Sequence, residues 1–309
     1  MIGDIKKLLL LPHIKVQNAN ALSSPFTIGF PAMTAWLGAV HALQRKLNTE
    51  FCELKFNASA IVSHECNLQT HKGAGDYVHS IIGTGNPLEP KSEKDKPEGN
   101  AVRSPFIEEA RCHLDISLLI EYSGASKDDE ELLLKKITHH LNSSMKIAGG
   151  DILSFDLPKA LKIEEGNDTD LRKLIRKLMP GYAIVERREL MKDAMEKGQD
   201  AIDALLTYLA IHQSCEQDDD GNIIWLSKRQ TTGWIVPIAT GFHGITELGQ
   251  AKNQRAPDTP HRFAESIVTL GEFKMPYRIQ SINEILWHYQ VEADNNLYLC
   301  QQSNHSQTY

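Results

Sequence analysis

Hydrophobic and polar positions alternate in blocks that divide the chain into strands and helices. Leu8–Leu11 with Ile14 and Val16 predict a first strand over 8–17, and Pro12 puts an edge or a bulge in it. From Ala32 to Lys46 the period lengthens. Met33, Trp36, Val40, Leu43 and Leu47 recur at steps of three and four, which predicts a helix with one buried stripe and Pro31 at its first turn. On its other side Thr34, Gly38, His41 and Arg45 recur in the same way. Two further strands follow in "FNASAIVSHECNLQ" and "RCHLDISLLIEYS", the latter alternating through His113, Asp115 and Ser117.

Ser126, followed by acids, predicts the N-cap of a second helix whose buried face is Leu134, Ile137, Leu141 and Met145. Gly149 of "AGGDIL" is placed to end that helix as its left-handed C′ residue, and "DILSFDL" supplies a fourth strand. The order β-α-β-β-α-β is the ferredoxin-like arrangement. Residues 71–103 are rich in Gly, Pro, Lys and Glu and lack periodicity, too long a stretch for an idle loop. Beyond Pro158 the pattern predicts a helix at "DLRKLIRKLM" and a strand at "GYAIV". A helix from Glu186 to Gln213 breaks at Gly198, and "NIIWLSKRQTTGWIVPIA" gives two strands. Trp225, Trp234, Trp287 and Tyr289 are expected in core strands.

Composition narrows the function only a little. The 309 residues carry a net charge of −7, which argues against a uniformly basic coat while leaving room for a local basic groove. Five dispersed cysteines without a CxxC pair point to reduced thiols and a cytoplasmic setting. The opening apolar run stops at Pro12, short of a signal peptide, and no segment is long enough to span a membrane. "GTGN" lacks the rest of a dinucleotide fingerprint, and no GK[ST], GxSxG or HExxH occurs. The spacing of His64, Cys66, His71 and His79 fits no standard zinc site, so no metal or cofactor is expected.

The remaining candidate site is the loop "QNANALSSPFTIGFPAM". Its Asn18, Asn20, Ser23 and Ser24 suit Asx and ST turns, yet the loop leads into a helix N-terminus, a natural anion site. Gly38 beside Arg45 would let a phosphate backbone lie close, and Gly149 and Gly150 exceed what one cap requires.

These residues carry a resemblance. "LLLLPHIKVQNANALSSPFTIGFPAMTAWLGAVHALQRKL", "FIEEARCHLDISLL", "MKIAGGDIL", "LMPGYAIVERREL", "GWIVPIATGF" and "TPHRFAESIVTLGEFKMPYRIQSINEILWHY" resemble the second Csy subunit of the type I-F CRISPR surveillance complex. That family is similar to the RAMP superfamily of ferredoxin-like (RRM-like) RNA binders. The resemblance covers nearly the whole chain. It implies an α+β fold with a RAMP core over 1–160, a thumb-like insertion near 71–103, and a C-terminal α/β elaboration over 161–309. It also implies a non-catalytic subunit that caps the 5′ handle of the CRISPR RNA. Its partners would be the large subunit and the first backbone subunit, with target DNA nearby. The motifs place RNA contacts at Asn18, Asn20, Ser23, Ser24, Gly29, Thr34, Gly38, His41, Arg45, Gly149 and Gly150. Some RAMP relatives are metal-independent endoribonucleases, which keeps RNA processing through a histidine base as the alternative.

Overall fold

The alternation at 8–17 lies inside a longer strand, β1 (Ile5–Asn20), in a computed structural model of the chain. It describes residues 5–82, 84–85, 106–107, 109–217, 221–254 and 256–302, with backbone alone at 84–85 and 106–107. The hairpin β2 (Leu22–Ser24) and β3 (Thr27–Ile28) precedes helix α1 (Met33–Leu47) and strand β4 (Lys55–Leu68). Two short pairs come next, β5 (Thr70–His71) with β6 (Ser80–Ile81) and β7 (Thr84–Gly85) with β8 (Phe106–Ile107). They lead to β9 (Arg111–Ser123), α2 (Glu130–Ser143), β10 (Lys146–Ile147), β11 (Gly150–Ser154) and β12 (Lys159–Glu164). The rest comprises α3 (Asp168–Leu178), β13 (Tyr182–Glu186), α4 (Arg188–Glu196), α5 (Ala201–Leu209), β14 (Ile211–Gln217) and β15 (Ile223–Arg229). The last strands are β16 (Ile235–Gly244), β17 (Ala264–Lys274), β18 (Trp287–Glu292) and β19 (Leu297–Gln302).

The chain is a mixed α+β protein built on one large antiparallel sheet in the order β10-β11-β1-β9-β4-β13-β17-β16-β19-β18. Strand β12 shares the outer edge of β1 with β11, and β18 also pairs with β4, so the second-half strands return to β4 at both ends of their run. Strand β1 is therefore central, and Pro12 falls in a bulge where the register with β9 slips between Leu11 and Ile14. His13, the next residue, takes a left-handed φ of 48°.

Each face of the sheet carries its own core. Leu9, Leu11, Ile14, Ile116 and Leu118 lie under α1 and α2, against the fully buried Trp36. All five residues of the expected α1 stripe are buried. The helix starts two residues past Pro31, whose carbonyl accepts the Trp36 indole N–H at 3.1 Å. Leu8, Leu10, Ala60, Val62 and Leu119 face the other way, toward Leu174 and Leu178 of α3 and Ile282 and Ile285 near a 3₁₀ turn.

Several local expectations are corrected. Ser126 precedes α2 by four residues. The N-cap is Asp129, and Ser126 and Asp129 exchange hydrogen bonds that close the entry turn. In α2, Leu133 rather than Leu134 is fully buried. The helix ends at Ser143, so Gly149 does not cap it. Ala148 (φ 48°) and Gly149 (φ 76°) instead form the two-residue turn of the β10–β11 hairpin, where a primed turn requires positive φ at both positions. The helix read through Glu186–Gln213 breaks at Gly198 as expected but stops at Leu209. Ile211–Gln217 pairs with Ile223–Arg229 as an exposed hairpin. Trp225 (71 % exposed) and Trp234 (51 %) are not core residues, whereas Trp287 is fully buried. Most of the expected insertion at 71–103 lies outside the described residues.

Candidate nucleic-acid interface

The end of β1, the start of β9 and the β10–β11 turn are drawn together by backbone pairing. Asn20 sits opposite Arg111, and its N–H donates to Ala148 O at 2.8 Å. Helix α1 begins beside them. The result is an open cleft of about 650 Å³ lined by Asn20, Ser23, Gly38, Arg111, Lys146 and Gly149, among others. The helix side is floored by small residues at helical spacing, namely Ala32, Ala35, Gly38, Ala39 and Ala42. A Cβ on Gly38 would meet nothing within 4 Å.

The electrostatics of this cleft come from a helix end, two cations and the Glu109 carboxylate, which also lines it. The α1 N-terminus has no side-chain cap and no acid in its first turn, so its free N–H groups and positive dipole end are available to an anion. Arg111 is paired with Glu109 at 2.7 Å and Lys146 with Asp151, both as half-exposed or exposed pairs. Exposed pairs of this kind contribute little and exchange readily for a stronger anion.

The expected site residues divide into groups. Asn20, Ser23, Gly38 and Gly149 share the cleft. Asn18 lies just outside it at φ 56°, its N–H donating to His113 Nδ1 at 3.1 Å. The Asn20 side chain is used locally, bonding both backbone groups of Leu22 at 3.1 Å. Ser23 and Ser24 both contact Thr27 Oγ1, at 2.8 and 2.7 Å, and hold the β2–β3 turn; Ser24 is buried. Gly150 is packed against the protein itself: a Cβ there would come within 2.7 Å of Gln17 O and 2.8 Å of Ala19 N. Thr34 is half-buried in the first turn of α1, and Arg45 is exposed in the last. Gly29 lies on the far side of the β2–β3 hairpin, in an aromatic cleft with Phe30, Tyr182, Trp234 and Phe273. His41 opens onto a third cavity, between α1 and β18, with Trp287, His288 and Tyr289. The polar stripe of α1 thus straddles two concavities rather than facing one.

Arg111 and Lys146 are not among the contacts expected from the sequence. Arg111 opens a strand, and only the long-range register sets it opposite Asn20. The small-residue spacing along α1 is the signal that could have pointed to this cleft.

The sheet face opposite α1 gathers His13, His64 and Asp115, with potential ligand atoms within 4.8 Å of one another. One ring nitrogen of His13, one oxygen of Asp115 and both ring nitrogens of His64 already have protein partners. His13 Nδ1 meets Asp115 at 3.1 Å, and His64 Nε2 meets Ser117 Oγ at 2.7 Å. His64 Nδ1 is 2.5 Å from the Pro180 carbonyl, which only accepts, so that nitrogen carries the proton. Burial holds the His64 pKa below its usual 6.5, opposed by that carbonyl. The cluster ties three strands to the turn before β13.

An α+β protein with one large antiparallel sheet and an open cleft at a helix N-terminus is compatible with many activities; relatives narrow them to CRISPR-associated proteins. The family described as CRISPR-associated protein (Cas_Csy2) matches residues 9–300. The chain is also 33% identical over 323 residues to CRISPR-associated protein Csy2 of Pseudomonas aeruginosa (strain UCBPP-PA14), covering 96% of this chain and 95% of that relative. The chain belongs to the Csy2 family, the type I-F family its motifs resemble.

Proposed function

We propose that this chain is a non-catalytic RNA-binding subunit of the type I-F CRISPR surveillance complex. It caps the 5′ handle of the CRISPR RNA, pairs with the large subunit and abuts the first backbone subunit. The observation that carries this reading is the cleft at the α1 N-terminus. It combines an uncapped helix end, a floor of small side chains, and Arg111 and Lys146 at its rim. A ribose-phosphate backbone needs close approach and positive charge: the small side chains give the first, and the helix end, with Arg111 and Lys146 exchanging Glu109 and Asp151 for phosphate, would give the second. The spatial order β11-β1-β9-β4, with α1 and α2 on one face, supports a ferredoxin-like RAMP core over 1–160 with 161–309 as its elaboration. The exposed apolar residues Ile223 and Trp225 of the β14–β15 hairpin support a protein partner for that arm. The residues lining the RNA cleft include no histidine, and His41 faces another cavity, which favours binding over the endoribonuclease alternative.

Gly38→Glu tests the reading. The new side chain enters open space, so folding is expected to be preserved, while its charge opposes a phosphate. Complexes assembled with this variant should carry little CRISPR RNA. Normal RNA content at normal assembly would refute the cleft.

A further inference from the structure

We propose that the aromatic cleft behind the β2–β3 hairpin receives one nucleobase of the bound RNA, with Trp234 as its stacking surface. This rests on the RNA-binding reading of the neighbouring cleft and names a subsite for it.

Four observations carry the inference. The cavity is about 270 Å³, just below the usual range of ligand pockets and suited to a single planar ring system. Its walls are aromatic: Trp234 meets the Tyr182 ring edge-on at 5.2 Å and Phe273 at 5.1 Å, yet Trp234 remains 51 % exposed. Two hydroxyls reach it without hydrogen-bond partners among the described residues, those of Tyr182 and Ser63, and Ser63 is only 7 % exposed. Each can donate to and accept from a group that enters the cleft. Finally, Ser23 lines both this cleft and the one at the α1 N-terminus. The β2–β3 hairpin is a common wall, so a strand whose phosphates lie along Arg111 and Lys146 can turn a base over Ser23 onto the indole. Apolar rings with a few polar groups at the margin are the chemistry of base stacking, which tolerates sequence because every base presents a π face. His64 also borders the cleft, but both its ring nitrogens are engaged elsewhere, so the hydroxyls are the groups left to bond a base edge.

The test uses the full-length chain carrying Trp225→Phe. Trp36 and Trp287 are fully buried, so Trp234 becomes the exposed tryptophan. An eight-nucleotide single-stranded RNA should quench tryptophan emission as it binds, and an abasic strand of equal length should bind more weakly and leave emission unchanged. Adding Trp234→Ala should weaken RNA binding about tenfold, whereas Trp234→Phe, which keeps an aromatic face, should restore most of it. Equal affinity for RNA in Trp234→Ala, with no quenching in its parent, would overturn the base pocket and leave the neighbouring groove intact. Absence of RNA binding by the unaltered chain, both alone and with the large subunit, would remove both readings. Protection of Trp234 from iodide by the large subunit alone, without RNA, would assign the cleft to a protein contact and overturn the inference.

Discussion

Gly150→Ala distinguishes a glycine kept for the fold from one kept for a ligand. Gly150 opens β11, where that strand lies against β1. An added Cβ would sit 2.7 Å from Gln17 O, 2.7 Å from Val16 Cγ1 and 2.8 Å from Ala19 N. Two of these three atoms are backbone of a central strand and cannot rotate away. The hairpin must therefore lift from β1, straining the Asn20 N–H to Ala148 O bond that fixes the cleft. Overpacking of this kind costs about 1–3 kcal/mol, and the rigid neighbours put this site near the upper end. At about 2–4 °C per kcal/mol, a cost of about 2–3 kcal/mol lowers the melting temperature by roughly 4–12 °C. Gly149→Ala is the internal control. Its Cβ would meet nothing within 4 Å, leaving only the penalty of a left-handed φ of 76°, about 1–2 kcal/mol. Urea unfolding followed by far-UV circular dichroism ranks the two. A Gly150→Ala protein within about 0.5 kcal/mol of the parent would refute the packing argument and return the glycine to a ligand role.

Ala148→Gly should act in the opposite sense. It relieves a non-glycine residue at φ 48° in the same turn and should raise stability by about 0.5–1 kcal/mol in the urea assay. Stability should also fall as pH drops below 6.5. His64 titrates below that value in the folded chain because it is buried, so across this window the unfolded chain binds the extra proton; His64→Gln should flatten the slope of melting temperature against pH. The double variant Arg111→Glu, Lys146→Glu should bind single-stranded RNA more weakly, with a log–log salt slope reduced by about 0.7 for each phosphate that is no longer neutralised. An unchanged slope would exclude both side chains from the RNA path.

The period of apolar residues is enough to place α1, β9 and the core strands. Burial is what sets that period, and Met33, Trp36, Val40, Leu43 and Leu47 all point inward. The loop from Asn18 to Ser24 is also recognisable as the neighbourhood of the cleft at the α1 N-terminus. What the pattern does not convey is register. Arg111 reaches Asn20, and His13 reaches Asp115, only because strands about a hundred positions apart align. The Ala148–Gly149 turn reads as a helix cap because both structures ask for positive φ, and only pairing of Ile147 with Gly150 separates them. Trp225 and Trp234 read as core residues because a strand pattern does not say whether a second layer covers it. For Trp225 none does among the described residues: it is exposed on a hairpin whose strands pair there only with each other.

Strand β4 pairs with β9 on one side, and its other side is closed by β13 and β18, whose residues begin more than a hundred positions after it. During synthesis, β1, β4 and β9 can assemble while the inner edge of a 14-residue strand still waits for its partners. That edge offers unpaired N–H and C=O groups beside Ile61 and Val62, a ready template for a second nascent chain. Solubility during expression should therefore depend on how quickly residues 182–302 follow the first half. A ribosome stalled near residue 165 would release a product that self-associates through β4, even though it already contains every residue that lines the cleft at the α1 N-terminus.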